Sequence, residues 1–64
     1  MLEYTVSKEK GSNRYYVCRV GEERVPLSRR FTDKKKALHH AADMEGMDYK
    51  EYMGLYRKEK ASHD

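Results

Sequence analysis

Leu2, Tyr4 and Val6 alternate with Glu3, Thr5 and Ser7, the period of a strand with one buried face. Lys8 to Asn13, centred on Gly11-Ser12-Asn13, is a turn cluster. Arg14 to Val20 then reads as a second strand, rich in aromatic and β-branched residues at Tyr15, Tyr16, Val17 and Val20. Gly21-Glu22-Glu23 is short enough for a hairpin loop. Arg24 to Phe31 forms a third strand, and its Pro26, which lacks a ladder donor, belongs at a sheet edge or a bulge. The pattern predicts three antiparallel strands.

Alternate side chains of a strand point to opposite sides of the sheet, so parity assigns the faces. Tyr16, Cys18 and Val20 fall on the inner face with Leu2, Tyr4 and Val6, joined by Val25, Leu27 and Phe31. The outer face then presents Thr5, Ser7, Tyr15, Val17, Arg19, Arg24, Ser28 and Arg30, a basic surface with aromatic interleaving. A bulge at Pro26 would shift the register of the third strand.

Beyond Phe31 the period changes. Thr32 or Asp33 supplies a helix cap, and Ala37, Leu38, Ala41, Ala42 and Met44 form a narrow apolar stripe that can lie close against a sheet. Gly46 interrupts this helix. Asp48, with Glu51 three residues on, resembles a capping box that starts a second. Tyr49, Tyr52, Met53 and Tyr56 fall at i, i+3, i+4 and i+7 on one face of it, although Gly54 costs about 1 kcal/mol relative to alanine. The expected fold is α+β: a three-stranded antiparallel sheet packed on a helix, with a second C-terminal helix. Residues 1–57 form one small domain, and 58–64 a polar tail that frays.

The chain has 64 residues, 39% of them charged and 38% hydrophobic. So short a chain is marginal without a staple or a partner. Cys18 is the single cysteine, which excludes an internal disulfide. There is no apolar run of about 18 residues, and Met1-Leu2-Glu3-Tyr4 lacks the basic-then-apolar order of a signal peptide. The expectation is a cytoplasmic protein with no membrane segment. The length also disfavours an enzyme, since a substrate pocket must be carved from a core this chain scarcely has.

Charge is uneven along the sequence. Residues 1 to 36 hold ten cations against five acids, a balance of +5, and the remainder holds four against six, a balance of −2. Arg24 to Lys36 is densest, with six cations and only Asp33 opposing them. A polyanion suits such a segment, and a solvated face serving solubility is the plain alternative.

Other chemistry finds little support. His39 and His40 are adjacent and diverge by about 100° on a helix, His63 sits in the tail, and no cysteine or carboxylate spacing completes a metal site. Cys18 reads as a small buried hydrophobe rather than a nucleophile. Glu22-Glu23 sits in a turn, where carboxylates are solvated. No catalytic residue, metal or cofactor is expected.

Arg14-Tyr15-Tyr16-Val17-Cys18-Arg19-Val20, a basic third strand, and then Phe31-Thr32-Asp33-Lys34-Lys35-Lys36-Ala37 resemble the N-terminal arm-type DNA-binding domain of phage and transposon tyrosine recombinases. That resemblance covers residues 14 to 45. It implies a three-stranded sheet on one helix, with the sheet reading the DNA major groove through Arg19, Arg24, Ser28 and Arg30, and Tyr15 beside them. The sequence departs from that family in its separate C-terminal helix and long first turn, and no catalytic recombinase domain follows. Lys34-Lys35-Lys36-Ala37-Leu38-His39-His40-Ala41-Ala42 is also similar to the second-helix start of a double-stranded-RNA-binding domain, which implies phosphate contacts across a groove. Leu38 replaces a lysine there, and that family's first helix has no counterpart before Tyr4.

The expected function is duplex DNA binding by the exposed basic sheet face, as a phage or mobile-element accessory or regulatory factor. Arg19, Arg24 and Arg30 contact bases or phosphates, Lys34, Lys35 and Lys36 hold phosphates, and Tyr15 packs. The alternatives for partner are double-stranded RNA or an acidic host protein. A second reading is a protein-interaction module, such as a phage-encoded modulator of a host protein, acting through Tyr49, Tyr52, Met53 and Tyr56 or through the sheet back. The same tyrosine and methionine face could instead complete the core or form a homodimer.

Overall fold

The computed structural model describes residues 2–61. Four elements follow one another: β1 (Tyr4–Lys8), β2 (Tyr15–Arg19), α1 (Lys34–Glu45) and α2 (Tyr49–Ala61). The strands form a two-stranded antiparallel sheet with Val6 opposite Val17 and Tyr4 opposite Arg19. Their connection is closed by the Glu9 N–H donating to the Arg14 carbonyl at 2.7 Å. Gly11 takes the left-handed conformation in this turn, with φ of 81°, where a side chain would be strained.

The third strand does not form. Residues 24–31 run beside β2, and Tyr15 and Phe31 exchange two backbone hydrogen bonds of 2.7 Å. The next contact is the Leu27 N–H donating to the Val17 carbonyl at 2.8 Å. Between those contacts β2 advances two residues, from Tyr15 to Val17, while its neighbour covers four, from Phe31 back to Leu27. Two extra residues break the ladder. The Val17 N–H, which a strand carbonyl would otherwise accept, donates to Ser28 Oγ at 2.9 Å. With Pro26 unable to donate at all, the segment is an irregular connector.

The faces of β2 are also reversed from the parity expectation. Because Val6 pairs with Val17, Tyr15 and Val17 point toward the helices with Tyr4 and Val6, while Tyr16 and Cys18 occupy the opposite side. A one-residue change in pairing moves every side chain to the other face. Tyr16 and Cys18 are nonetheless buried. The connector covers Tyr16: its hydroxyl donates to the Glu23 carbonyl at 2.7 Å, and the Arg30 guanidinium lies 5.3 Å from its ring centroid. Val20, Val25 and Leu27, expected inside, are exposed.

The helices follow their sequence signals. Asp33 caps α1, its carboxylate accepting from the Lys35 N–H at 2.9 Å. Gly46 ends the helix in the left-handed conformation, φ 76°, with its N–H directed to the Ala42 and Asp43 carbonyls, the usual role of glycine at this position. Asp48 Oδ1 accepts from the Glu51 N–H at 2.8 Å at the start of α2. α2 continues past residue 57 to Ala61, so Lys58 to Ala61 are helical rather than a frayed tail. His63 and the rest of that tail lie outside the described residues.

The core gathers Leu2, Val6, Val17, Phe31, Ala37, Leu38, Ala41, Ala42, Tyr52 and Tyr56 from all four elements and the connector. The alanine stripe lets α1 approach the sheet, and burying a side chain such as Leu38 contributes about 1.5–3 kcal/mol. No helix among the described residues is long and apolar enough to cross a membrane.

Candidate nucleic-acid interface

The connector and the start of α1 carry the densest positive charge. Arg29, Lys34, Lys35 and Lys36 are exposed, and none forms an ion pair among the described residues. The first turn of α1 contains no acidic residue, and the one acid nearby, Asp33, spends its carboxylate on the cap. The unsatisfied N–H groups at a helix start carry partial positive charge. The lysines therefore add to a field of the same sign.

Arg29 and Arg30 are consecutive in the connector and diverge. Arg29 lies over the Phe31 ring, 5.0 Å from its centroid. Arg30 turns to the opposite side, where its Nε donates to Glu9 Oε2 at 2.9 Å. This pairing, with Ser12 as a second donor to the same carboxyl, holds Glu9 below its ordinary pKa.

The remaining expected DNA contacts do not join this group. Arg19 stands four residues along β2 from Tyr15, about 13 Å at strand rise. It is 5.7 Å from the Tyr4 ring centroid and 3.9 Å from Glu22. Arg24 is exposed in the connector. Ser28 is a structural residue, accepting from the Val17 N–H and donating to the Arg29 carbonyl at 2.9 Å. Tyr15 packs against the core on the helix side. The sheet back, expected to be an open basic surface, is partly covered by the molecule's own connector.

Sequence parity missed Arg29, because a regular third strand would turn it away from Arg30 and Ser28. Its position in Arg29-Arg30-Phe31, next to the lysine run, was the available signal.

The aromatic face of α2 is mostly inward. Tyr52 is fully buried and its hydroxyl donates to the Tyr4 carbonyl, while Tyr56 is 7% exposed. Tyr49 stacks on His39 with ring centroids 3.8 Å apart, and Met53 is half-buried. These residues complete the core. Burial raises the Cys18 thiol pKa, partly offset by the Ser7 hydroxyl 3.3 Å from its sulfur. A scan of family models, a search of curated proteins and a search of solved structures each return no match.

Proposed function

We propose that this chain binds duplex DNA through its phosphates, using the connector and the first turn of α1, as a small accessory or regulatory factor. One observation carries the reading: Arg29, Lys34, Lys35 and Lys36 are all exposed and close in sequence, none has a carboxylate partner among the described residues, and the first turn of α1 lacks acidic residues. Like charges close in sequence repel one another, whereas a polyanion relieves the repulsion and releases counterions. Arg19 and Arg30 are already engaged by Glu22 and Glu9. Recognition is therefore assigned to the backbone of the duplex, with little base reading.

The test is duplex affinity as a function of salt. The logarithm of affinity should fall with log salt by about 0.9 for each phosphate neutralised. The double variant Lys35→Ala/Lys36→Ala should flatten that slope by about 1.8, and Arg19→Ala should leave it nearly unchanged. Absence of duplex binding at about 50 mM salt, or a slope untouched by the double lysine variant, would overturn the reading.

A further inference from the structure

Phe31, at the end of the connector, holds two side chains against one ring. The Arg29 guanidinium lies 5.0 Å from its centroid, and the imidazole of His40, on α1, lies 5.5 Å from it at a tilt of 44°. His40 follows Lys36 by four residues, so the two are neighbours on the helix surface, with about 5–6 Å between Cβ atoms. The ring and one turn of α1 thus connect His40 both to Arg29 and to Lys36. The imidazole is half-buried, its nitrogens make no hydrogen bond among the described residues, and neither is sealed from water. Histidine is the side chain that ordinarily changes charge between about pH 5 and 8. Here it adjoins two residues of fixed charge.

We infer that His40 is a further phosphate contact beside Arg29 and Lys36 and makes duplex binding proton-dependent, an inference that rests on the phosphate-binding reading above. A phosphate favours the imidazolium over the neutral ring, since an opposite charge within about 4–6 Å stabilises the charged form. The complex then holds the proton more tightly than the free chain, so binding takes up a proton. Affinity is greatest at acid pH and declines as pH rises through about 5 to 8. The groups around the ring agree with this direction. On α1, Lys36 opposes the imidazolium in the free chain, and the exposed Asp43, three residues on, favours it. Arg29, across Phe31, acts with Lys36. The sheet contributes Tyr15, whose backbone pairs with Phe31, and α2 contributes Tyr49, which stacks on His39 and not on His40. Two fixed cations against one acid disfavour a third positive charge until a phosphate reverses the balance.

Duplex affinity of the full chain at about pH 5.5 and about pH 7.5, at equal salt, tests this. Affinity should be about threefold to tenfold higher at the lower pH, with a salt slope steeper by up to about 0.9, the share of one more phosphate. His40→Gln should match the wild type at the higher pH and lack the rise at the lower one, whereas His39→Gln should keep it. Nuclear magnetic resonance of the wild-type imidazoles reads the same event without a substitution. The titration midpoint of His40 should move up by about 0.5–1 pH unit when duplex is added, the linked counterpart of the affinity change, and that of His39 should stay. Should His40→Gln fail to fold, this titration decides alone. Duplex binding that is independent of pH, a pH dependence that survives in folded His40→Gln, or a His40 midpoint unmoved by duplex would overturn the inference and leave phosphate binding by Arg29 and the lysines standing. Absence of duplex binding at both pH values would overturn both.

Discussion

The Tyr52 hydroxyl donates to the Tyr4 carbonyl at 2.9 Å, a bond between residues 48 apart that fastens α2 to the edge of β1. One helical turn later the Tyr56 hydroxyl is buried with no hydrogen-bond partner among the described residues. The two rings lie 5.8 Å apart, so the same chemical group sits in nearly the same surroundings with opposite polar satisfaction. Removing a hydroxyl costs stability where it makes a buried bond and relieves a desolvation penalty where it does not. Tyr52→Phe should lower unfolding free energy by about 1–1.5 kcal/mol, and Tyr56→Phe should leave it unchanged or raise it by up to about 1 kcal/mol. Urea denaturation of both variants gives the comparison directly.

Tyr52 also sets an alkaline limit. Burial raises its pKa above the ordinary 10.0, with Tyr56 and the carboxylates of Glu45 and Glu59 acting in the same direction. The folded state therefore holds this proton more tightly than the unfolded chain. The associated stability is complete below pH 10 and is lost progressively as pH rises beyond it. Stability measured between pH 8 and 11 should decline at the top of that range, and Tyr52→Phe, lacking the proton, should show a smaller decline.

The helices and their junctions were legible in the sequence because each boundary carries its own local chemistry. The Asp33 cap, the left-handed Gly46 and the Asp48 bond to Glu51 need no tertiary information. The faces of β2 were not legible. Tyr15, Tyr16, Val17 and Cys18 are four consecutive apolar residues, so alternation does not distinguish the two sides. The pairing that decides it, Val6 with Val17, is fixed by how the turn from Glu9 to Arg14 closes. The third strand failed for a related reason: its composition suits a strand, but the two residues in excess between Leu27 and Phe31 become visible only when both ends are docked on β2. The cation run was plain in the sequence, whereas the pairing of Arg30 within it depended on where Glu9 was placed.

Ser28 separates the structural from the DNA-binding interpretation. Its Oγ is the acceptor for the Val17 N–H, and Val17 is fully buried. Ser28→Ala leaves that N–H without a partner, a loss of about 1–3 kcal/mol for a buried donor. Thermal unfolding should register the loss, while the salt dependence of duplex binding at a temperature where the variant remains folded should be unchanged. A lower affinity in the folded variant would return Ser28 to the interface.

Asp33 is the acid beside the cationic surface, whereas Glu9 holds Arg30 on the opposite side of the connector. Glu9→Gln releases Arg30 from its 2.9 Å ion pair away from the proposed surface and should change duplex affinity at low salt by less than about twofold. Asp33→Ala deletes the helix cap as well as a negative charge, so it should cost about 1 kcal/mol of stability while also tightening binding. Measuring stability and affinity for both variants distinguishes the cap from the charge. If Asp33→Ala bound duplex DNA more weakly while folded, or Glu9→Gln changed binding more than it does, the connector and the start of α1 would not be the binding surface.

Cys18 offers a probe of the whole fold. It is fully buried, with the Ser7 hydroxyl 3.3 Å from its sulfur and the Thr5 carbonyl 3.8 Å away. Burial raises the thiol pKa above its ordinary value of 9.0, outweighing the Ser7 hydrogen bond, so the reactive thiolate is scarce as well as inaccessible. Labelling by a disulfide reagent at pH 8 should be at least about 100-fold slower in the native protein than in urea, since a marginal domain exposes the sulfur mainly by opening. The logarithm of its rate should rise in Tyr52→Phe and Ser28→Ala in proportion to their lost stability. Rapid labelling in native buffer, insensitive to those substitutions, would show that the segment over this face opens independently of the core.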